Sequence, residues 1–357
     1  MTLIVDAHED IAWNVLCYGR DYTQPARATR DREAADTTAD AGLAMLGLPE
    51  WLAGNVAVIV ATVFVEPARS PFASKLSRIY RTADEAFAVA MRQIDIYRRL
   101  ADRHAQFRLV FTRGDLEAVL ATWSPSAQAA DRQIGLVLSI ENGDSIRTPG
   151  EVERWHAEGV RLVGPAWMAS RYCGGTGEPG PLTDDGVRLL RRMADLNLAL
   201  DTSHMAEQAF FQAIDRYPGP VIASHSNPRR YVDTDRHLSD DMIRALIERD
   251  GVIGSVPFNA FLTPGWVKGD RKDAADLSAV VRAIDYVCQR AGDALHAGIG
   301  SDFDGGFGAA SAPEGFDTVA DLQKIGDGLR QAGYSPADVE AVMGGNWLRI
   351  LRQCLPA

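Results

Sequence analysis

The chain has 357 residues, 46% of them hydrophobic and 24% charged, with a formal net charge of -11. This is the composition of a globular protein long enough to bury a large core; its acidic balance disfavours nonspecific nucleic-acid binding. The longest apolar run, Val56 to Val65, is too short to span a bilayer, and neither MTLIVDAHED at the start nor LRQCLPA at the end carries a secretory or lipid-anchor signal, so a soluble, cytoplasmic protein is expected.

In chain order, short β-rich runs alternate with helical patterns. The strands expected are Leu3–Asp6, Val56–Val65, Gly135–Ile140, Val160–Val163, Leu198–Asp201, Val221–Ser224, Val252–Val256 and Ala297–Ser301. Most are almost continuously apolar, as parallel strands buried on both faces must be. Helices are predicted over Asp185–Leu196, where Val187, Leu190 and Met193 share a side, and over Asp240–Glu248 and Leu277–Arg290. Such repeated alternation predicts an α/β fold, a (β/α)8 TIM barrel. A helical insertion after the second strand, at about 66–134, is expected to pack on this single domain (residues 1–357). It would hold a long helix over about Ser74–His104, a short run Phe107–Phe111 that could itself be a barrel strand, and a helix over about Arg113–Thr122. Residues 14–55 and 258–275 read as long loops after strands, on the face where barrels build active sites.

Four cysteines, Cys17, Cys173, Cys288 and Cys354, form no CxxC pair and read as buried, reduced thiols. The seven histidines are more informative, because His8, His204 and His225 all fall at the C-terminal ends of predicted strands. His8 and Asp10, two apart in DAHED, point the same way from an extended segment. They can offer one imidazole nitrogen and one carboxylate to a single ion. Glu141 ends LVLSIE, and its two oxygens can bridge two cations. His204 ends LALDTSH and His225 ends VIASH, giving two imidazoles for a second ion. Burying these groups together is costly unless cations compensate them. Nitrogen and oxygen ligands without thiolate suit two divalent ions such as Zn²⁺, with Mn²⁺, Co²⁺ and Fe²⁺ left open. In GIGSDFDGG (298–306), Asp302 closes the last predicted strand and could face the metals as a proton-transferring group. Asp304 points the same way if the segment is extended, but reads better as a supporting or turn residue.

Taken together, DAHED (6–10), IENGDSI (140–146), DTSH (201–204), ASHSNPR (223–229), DRH (235–237) and GSDFDG (300–305) resemble the membrane (renal) dipeptidase family of the amidohydrolase superfamily, over nearly the whole chain. The resemblance implies that His8, Asp10 and Glu141 bind one metal, and Glu141, His204 and His225 the other, with Glu141 bridging. It implies metal-activated water attacking a peptide carbonyl, Asp302 as catalytic acid/base, and Arg236 as a substrate-binding arginine. In RLVGPAW, Trp167 stands where the family usually carries a substrate-binding histidine. An indole N–H can donate a hydrogen bond but carries no charge, so Trp167 is expected to form an apolar or stacking wall, with Arg171 and Tyr172 as candidate replacement donors. Glu9 replaces a common Asn and is expected to alter supporting contacts only. His237 could line the pocket, whereas His104, His156 and His296 have ordinary structural readings.

The function expected is a metallodipeptidase, acting on a small-molecule substrate and accepting a C-terminal D-residue. A homodimer is allowed, with no nucleic-acid or membrane partner. Trp167 keeps a second reading alive, the hydrolysis of another small amide, an N-acyl amino acid or a lactone. A non-catalytic binding protein on the same barrel is disfavoured by the complete ligand set and Asp302.

Overall fold

The apolar runs of the sequence become parallel strands because their side chains find cover on both faces. The computed structural model describes residues 2–34, 42–74 and 76–357. Its strands are β1 Ile4–Glu9, β2 Val56–Phe64, β3 Phe107–Leu109, β4 Ile134–Glu141, β5 Val160–Gly164, β6 Cys173–Gly175, β7 Glu178–Leu182, β8 Ala199–Asp201, β9 Val221–Ile222, β10 Ile253–Ser255 and β11 Ala297–Ile299. The main sheet runs β10-β11-β1-β2-β4-β5-β8-β9, every pair parallel. A parallel bridge between Ala223 and Ile253 joins its two ends. The eight runs read from the sequence are therefore the eight barrel strands. The Phe107–Phe111 run is resolved differently: β3 pairs with the N-terminal part of β4 and lies off the barrel path.

One buried cluster takes Val5, Ala7, Val58, Val60, Val137, Leu162, Ala199, Ile222 and Val252 from successive strands or their edges, with Trp347, Ile350 and Leu351 of the last helix. That helix, Asn346–Cys354, closes the N-terminal end of the barrel: Arg349 reaches the carbonyls of Asp250 and Leu295, just ahead of β10 and β11, and Trp347 Nε1 donates to Ile299 O at 2.9 Å. The C-terminal end is left for the site.

The segment between β2 and β4 holds the helices Ala83–Arg103 and Arg113–Ala121, each opened by a capping box, Thr82 with Glu85 and Thr112 with Asp115. The first helix begins later than the expected Ser74, because Thr82 is the residue able to cap it; Lys75 lies outside the described residues. Gln93 of this helix faces Phe64 at the end of β2, where no strand continues, and its amide bonds both Phe64 N and Phe64 O. Residues 14–55 are a correction too: they carry the helices Ala26–Glu33 and Leu48–Ala53 and the end of Ile11–Tyr18, although 35–41 lie outside the described residues. Among the described residues, no helix is long and apolar enough to cross a membrane.

Candidate metal centre

Each candidate ligand arrives from the C-terminal end of a strand, and several by a local irregularity. The β1/β2 register slips between Asp6 and Glu9, where three steps on β1 match two on β2. Such an extra residue re-aims side chains beside it, and here His8 sits within the slip. His204 and Asp302 both adopt left-handed backbone, at φ 66° and 55°. For non-glycine residues this costs roughly 1–3 kcal/mol each and persists only where the surroundings enforce it.

The structure brings His8, Asp10, Glu141, His204, His225 and Asp302 together. Glu141 is central: its Oε2 lies 3.3 Å from His8 Nε2, while its Oε1 lies 3.1 Å from His204 Nε2 and 3.4 Å from His225 Nε2. Asp10 and Asp302 each approach His8 Nε2 to 3.9 Å. The rings of His8 and His225 stack at 3.7 Å.

The supporting bonds fix the tautomer of His225. Ser224 Oγ donates to Asp201 Oδ2, so it must accept from His225 Nδ1–H, 2.7 Å away. His225 Nε2 is then unprotonated and aims a lone pair at the centre. Asp201 itself is saturated, its Oδ1 accepting from Ser203 N and Ser224 N. Thr176 Oγ1, in the turn of the β6–β7 hairpin, stands 3.1 Å from His204 Nδ1. His204 Nε2 and His225 Nε2 are 3.0 Å apart.

Burial, with Arg236 nearby, lowers the His204 pKa to about 4. Burial and the neighbouring His8 push His225 well below its usual value, so both rings are neutral near pH 7. Two neutral imidazoles and a carboxylate oxygen converge here within ligand range, and a cation among them would take the lone pairs of both rings and of Glu141. His8 behaves oppositely. Burial opposes its charge, but Glu141, Asp10 and Asp302 outweigh that and raise it to about 10. Burial, reinforced by Glu141, raises Asp10 to about 7, and burial also drives Asp302 well above the ordinary carboxylate range. This is a pocket with more carboxylate than its protein cations can neutralise. Three trios among the described residues, Glu141–His204–His225, His8–Asp10–Asp302 and His8–Asp201–His225, each offer ligand atoms close enough to hold an ion, but in the last of them Asp201 is already engaged by Ser203 and Ser224. The donor set fits divalent metal.

Arg236 is buried, donating from Nη2 to His225 O at 2.7 Å and from Nη1 to Ser226 Oγ at 3.1 Å. Trp167 stands edge-on to Phe64 at 5.0 Å and to Phe72 at 6.2 Å, with its ring 6.3 Å from that of His204. It walls the centre with aromatic surface. Arg171 and Tyr172 do not supply replacement donors: Arg171 turns to Arg147 O and Asp144, and Tyr172 Oη donates to Ile146 O. His237 is buried edge-on to Phe261 at 4.6 Å, its Nδ1 without a partner. Glu9 accepts from Trp51 Nε1. Asp304 does not point with Asp302. Both residues are left-handed, so 302–305 is a turn, and the Asp304 carboxylate faces Arg20, Tyr22 and Met45 instead.

Asp201, Ser224 and Thr176 went unassigned in the sequence. Asp201 and Ser224 lie inside DTSH and ASHSNPR, and a polar residue beside each histidine was the available signal. Thr176 had none, because only the folded hairpin brings it to His204.

The model of the membrane dipeptidase family, peptidase family M19, matches residues 1–355. An uncharacterized protein in the pqqA 5′ region of Klebsiella pneumoniae is 31% identical over 275 residues, 74% of this chain and 95% of that protein. An uncharacterized dipeptidase of Schizosaccharomyces pombe is 25% identical over 83% of this chain and 70% of its own length. The chain shares its fold with a Rhodobacter sphaeroides metallopeptidase solved with a phosphinate mimic of L-Ala-D-Ala, at a TM-score of 0.78 and 23% identity over 99% of this chain and 100% of that one.

Proposed function

Because this chain belongs to the membrane dipeptidase family, whose chemistry is metal-dependent dipeptide hydrolysis, we propose that its buried centre holds two divalent cations, Zn²⁺ by preference, and cleaves the amide bond of dipeptides, including those ending in a D-residue. The observation that carries the reading is the division of Glu141, one oxygen toward His8 and the other toward His204 and His225. His8, Asp10 and Glu141 Oε2 would hold one ion; Glu141 Oε1, His204 and His225 the other. Asp302 also converges on His8 and Asp10, standing 3.9 Å from His8 Nε2 as Asp10 does. Glu141, at 3.3 Å, completes the first set, and Asp302 takes the proton-transferring role because GSDFDG matches the family's catalytic acid/base segment.

When bound, the cations lower the pKa of a water and polarise the scissile carbonyl. The Asp302 carboxylate takes a proton from the attacking water and delivers it to the amine as the C–N bond breaks, releasing two amino acids. Arg236 supplies buried positive charge beside His225 to orient a carboxylate or stabilise the tetrahedral oxyanion. Trp167 lines the substrate end. This function is assigned to one barrel domain bearing the 66–134 insertion, in a cytoplasmic enzyme for which a homodimer is allowed. The Trp167–Phe64–Phe72 wall also favours a second reading, a small amide, N-acyl amino acid or lactone presenting an apolar group.

The test is a hydrolysis panel on metal-reconstituted protein: dipeptides of both stereochemistries, N-acyl amino acids and lactones, with metal counted in protein purified without chelator. Dipeptide turnover with two ions per chain is expected. Turnover of only the other classes moves the assignment to the second reading, and less than one ion per chain overturns the metal centre. Asp302→Asn should retain metal and lose activity; an unchanged rate removes Asp302 from proton transfer.

A further inference from the structure

The carboxylate of Asp304 is almost wholly buried and faces away from the metal centre, yet it is heavily bonded. Its Oδ2 accepts from Tyr22 Oη at 2.8 Å and pairs with Arg20 Nη1 at 2.9 Å; its Oδ1 accepts from Met45 N at 2.8 Å. Arg20, also buried, is held in turn by Glu33 through Nε and Nη2, at 2.9 and 3.0 Å, and by Gly42 O at 2.7 Å. Asn14 Nδ2 donates both to Asp304 O, at 2.9 Å, and to Asp10 O, at 3.0 Å. The excursion after β1 is thus latched onto the turn after β11.

That turn carries Asp302. Two left-handed non-glycine residues, Asp302 and Asp304, make it intrinsically unfavourable, so something outside it must hold it. Within it, Gly305 N donates to Asp302 O at 2.9 Å, and Asp302 N donates to His8 O at 3.1 Å. These bonds fix one end. The Asp304 carboxylate is the handle at the other: Tyr22 Oη and Met45 N hydrogen-bond it, and the buried Arg20 charge 2.9 Å away keeps it from being left uncompensated.

We infer that Arg20 and Tyr22 are positioning residues for the reaction, setting the Asp302 carboxylate against the metal centre by gripping Asp304. Neither touches the substrate region. Their effect passes through the backbone of 302–304, so loosening the grip lets Asp302 drift while the ligands stay in place. A displacement of about 1 Å in a reacting group is enough for roughly a hundredfold loss in rate.

This inference rests on Asp302 as the proton handler, and the experiment separates the two ideas. Tyr22→Phe, Arg20→Gln and the double variant Arg20→Gln/Asp304→Asn are compared with wild type and Asp302→Asn in the metal-loaded, full-length protein. Measured quantities are kcat, KM, metal per chain, thermal midpoint and affinity for a phosphinate dipeptide mimic, whose tetrahedral centre reads the geometry of the site. For Tyr22→Phe, which removes one hydroxyl and keeps the fold, kcat should fall about tenfold, with KM within about twofold and metal content unchanged. Mimic affinity should fall in step with kcat. Arg20→Gln should lose more, and the double variant, which removes the unpaired buried charge, should recover part of that loss. Tyr22→Phe and Arg20→Gln proteins that melt earlier but keep wild-type kcat and mimic affinity would overturn the inference, leaving the latch purely structural. If Asp302→Asn keeps its rate, the proton-transfer reading fails and the inference falls with it.

Discussion

Gly305 lies directly against the side chain of Asp302: a Cβ at position 305 would stand 1.9 Å from Asp302 Oδ1 and 2.8 Å from its backbone oxygen. The carboxylate reaches its observed place only because residue 305 has no side chain. Gly305→Ala should therefore turn the Asp302 carboxylate away from His8 and cut kcat by more than about tenfold, since proton transfer by a positioned group is worth roughly 10²–10⁴ in rate. Metal content should hold, because no ligand is displaced. Steady-state kinetics with metal analysis checks this; a wild-type kcat would mean that catalysis does not need this orientation of Asp302.

Asp201 acts on the metal side. It accepts from Ser224 Oγ, which takes the Nδ1–H of His225 and so leaves Nε2 free for a cation. Asp201→Asn should disturb this relay and weaken one of the two metals by about 10- to 100-fold, the range usual for such supporting groups. Chelator competition should show one site loosened and the other near wild type; equal loss at both, or at neither, removes the relay from metal selectivity.

Metal uptake should release protons. In the metal-free centre His8 is raised to about 10 and Asp10 to about 7, so both hold protons near neutrality that ligation requires them to lose. Raising the pH therefore favours the metal-bound form and lowering it favours the metal-free form. Apparent affinity should climb about tenfold per pH unit for each proton expelled. Binding titrations between pH 6 and 8, with a pH indicator in weak buffer, measure the slope and the release; a flat profile would contradict the His8 and Asp10 assignment.

Trp167 should select substrate rather than drive chemistry. Its ring belongs to a wall with Phe64 and Phe72 beside His204. Trp167→Ala should lower kcat/KM for substrates with a bulky apolar group on that side by about tenfold, the equivalent of roughly 1.4 kcal/mol of lost aromatic contact. Small substrates should change less. Trp167→His should reorder dipeptides against N-acyl amino acids and lactones, and an unchanged ranking would remove Trp167 from selectivity.

The barrel and the ligand types were legible in the sequence for a physical reason. A parallel strand buried on both faces must be apolar along its length, as β2 and β4 are, and polar groups that interrupt such runs at their ends stand out. His8, Glu141, His204 and His225 were visible in that way. Their mutual distances were not, because they depend on closure of the sheet between Ala223 and Ile253, hundreds of residues from His8 along the chain. Asp304 shows the boundary most sharply. Two residues from Asp302, it reads as a companion carboxylate if the chain is extended and, preferably, as a supporting or turn residue; left-handed backbone at both positions makes the segment a turn, and only the fold shows that Asp304 goes to Arg20 and Tyr22. Arg171 and Tyr172 likewise looked available, and local partners claim them.

Composition, periodicity and the polar ends of apolar runs thus determined the class of fold and the chemistry of the ligands, since both follow from what neighbouring residues can bury. Which groups face one another was decided by tertiary structure alone. Glu141 divides its oxygens among three histidines, Thr176 reaches His204 from a hairpin, and Arg20 grips Asp304 across the joint between β1 and β11. Each of these joins residues from separate strands or loops, and their separations are set by the closed sheet and the loops packed over its mouth, which no local pattern encodes.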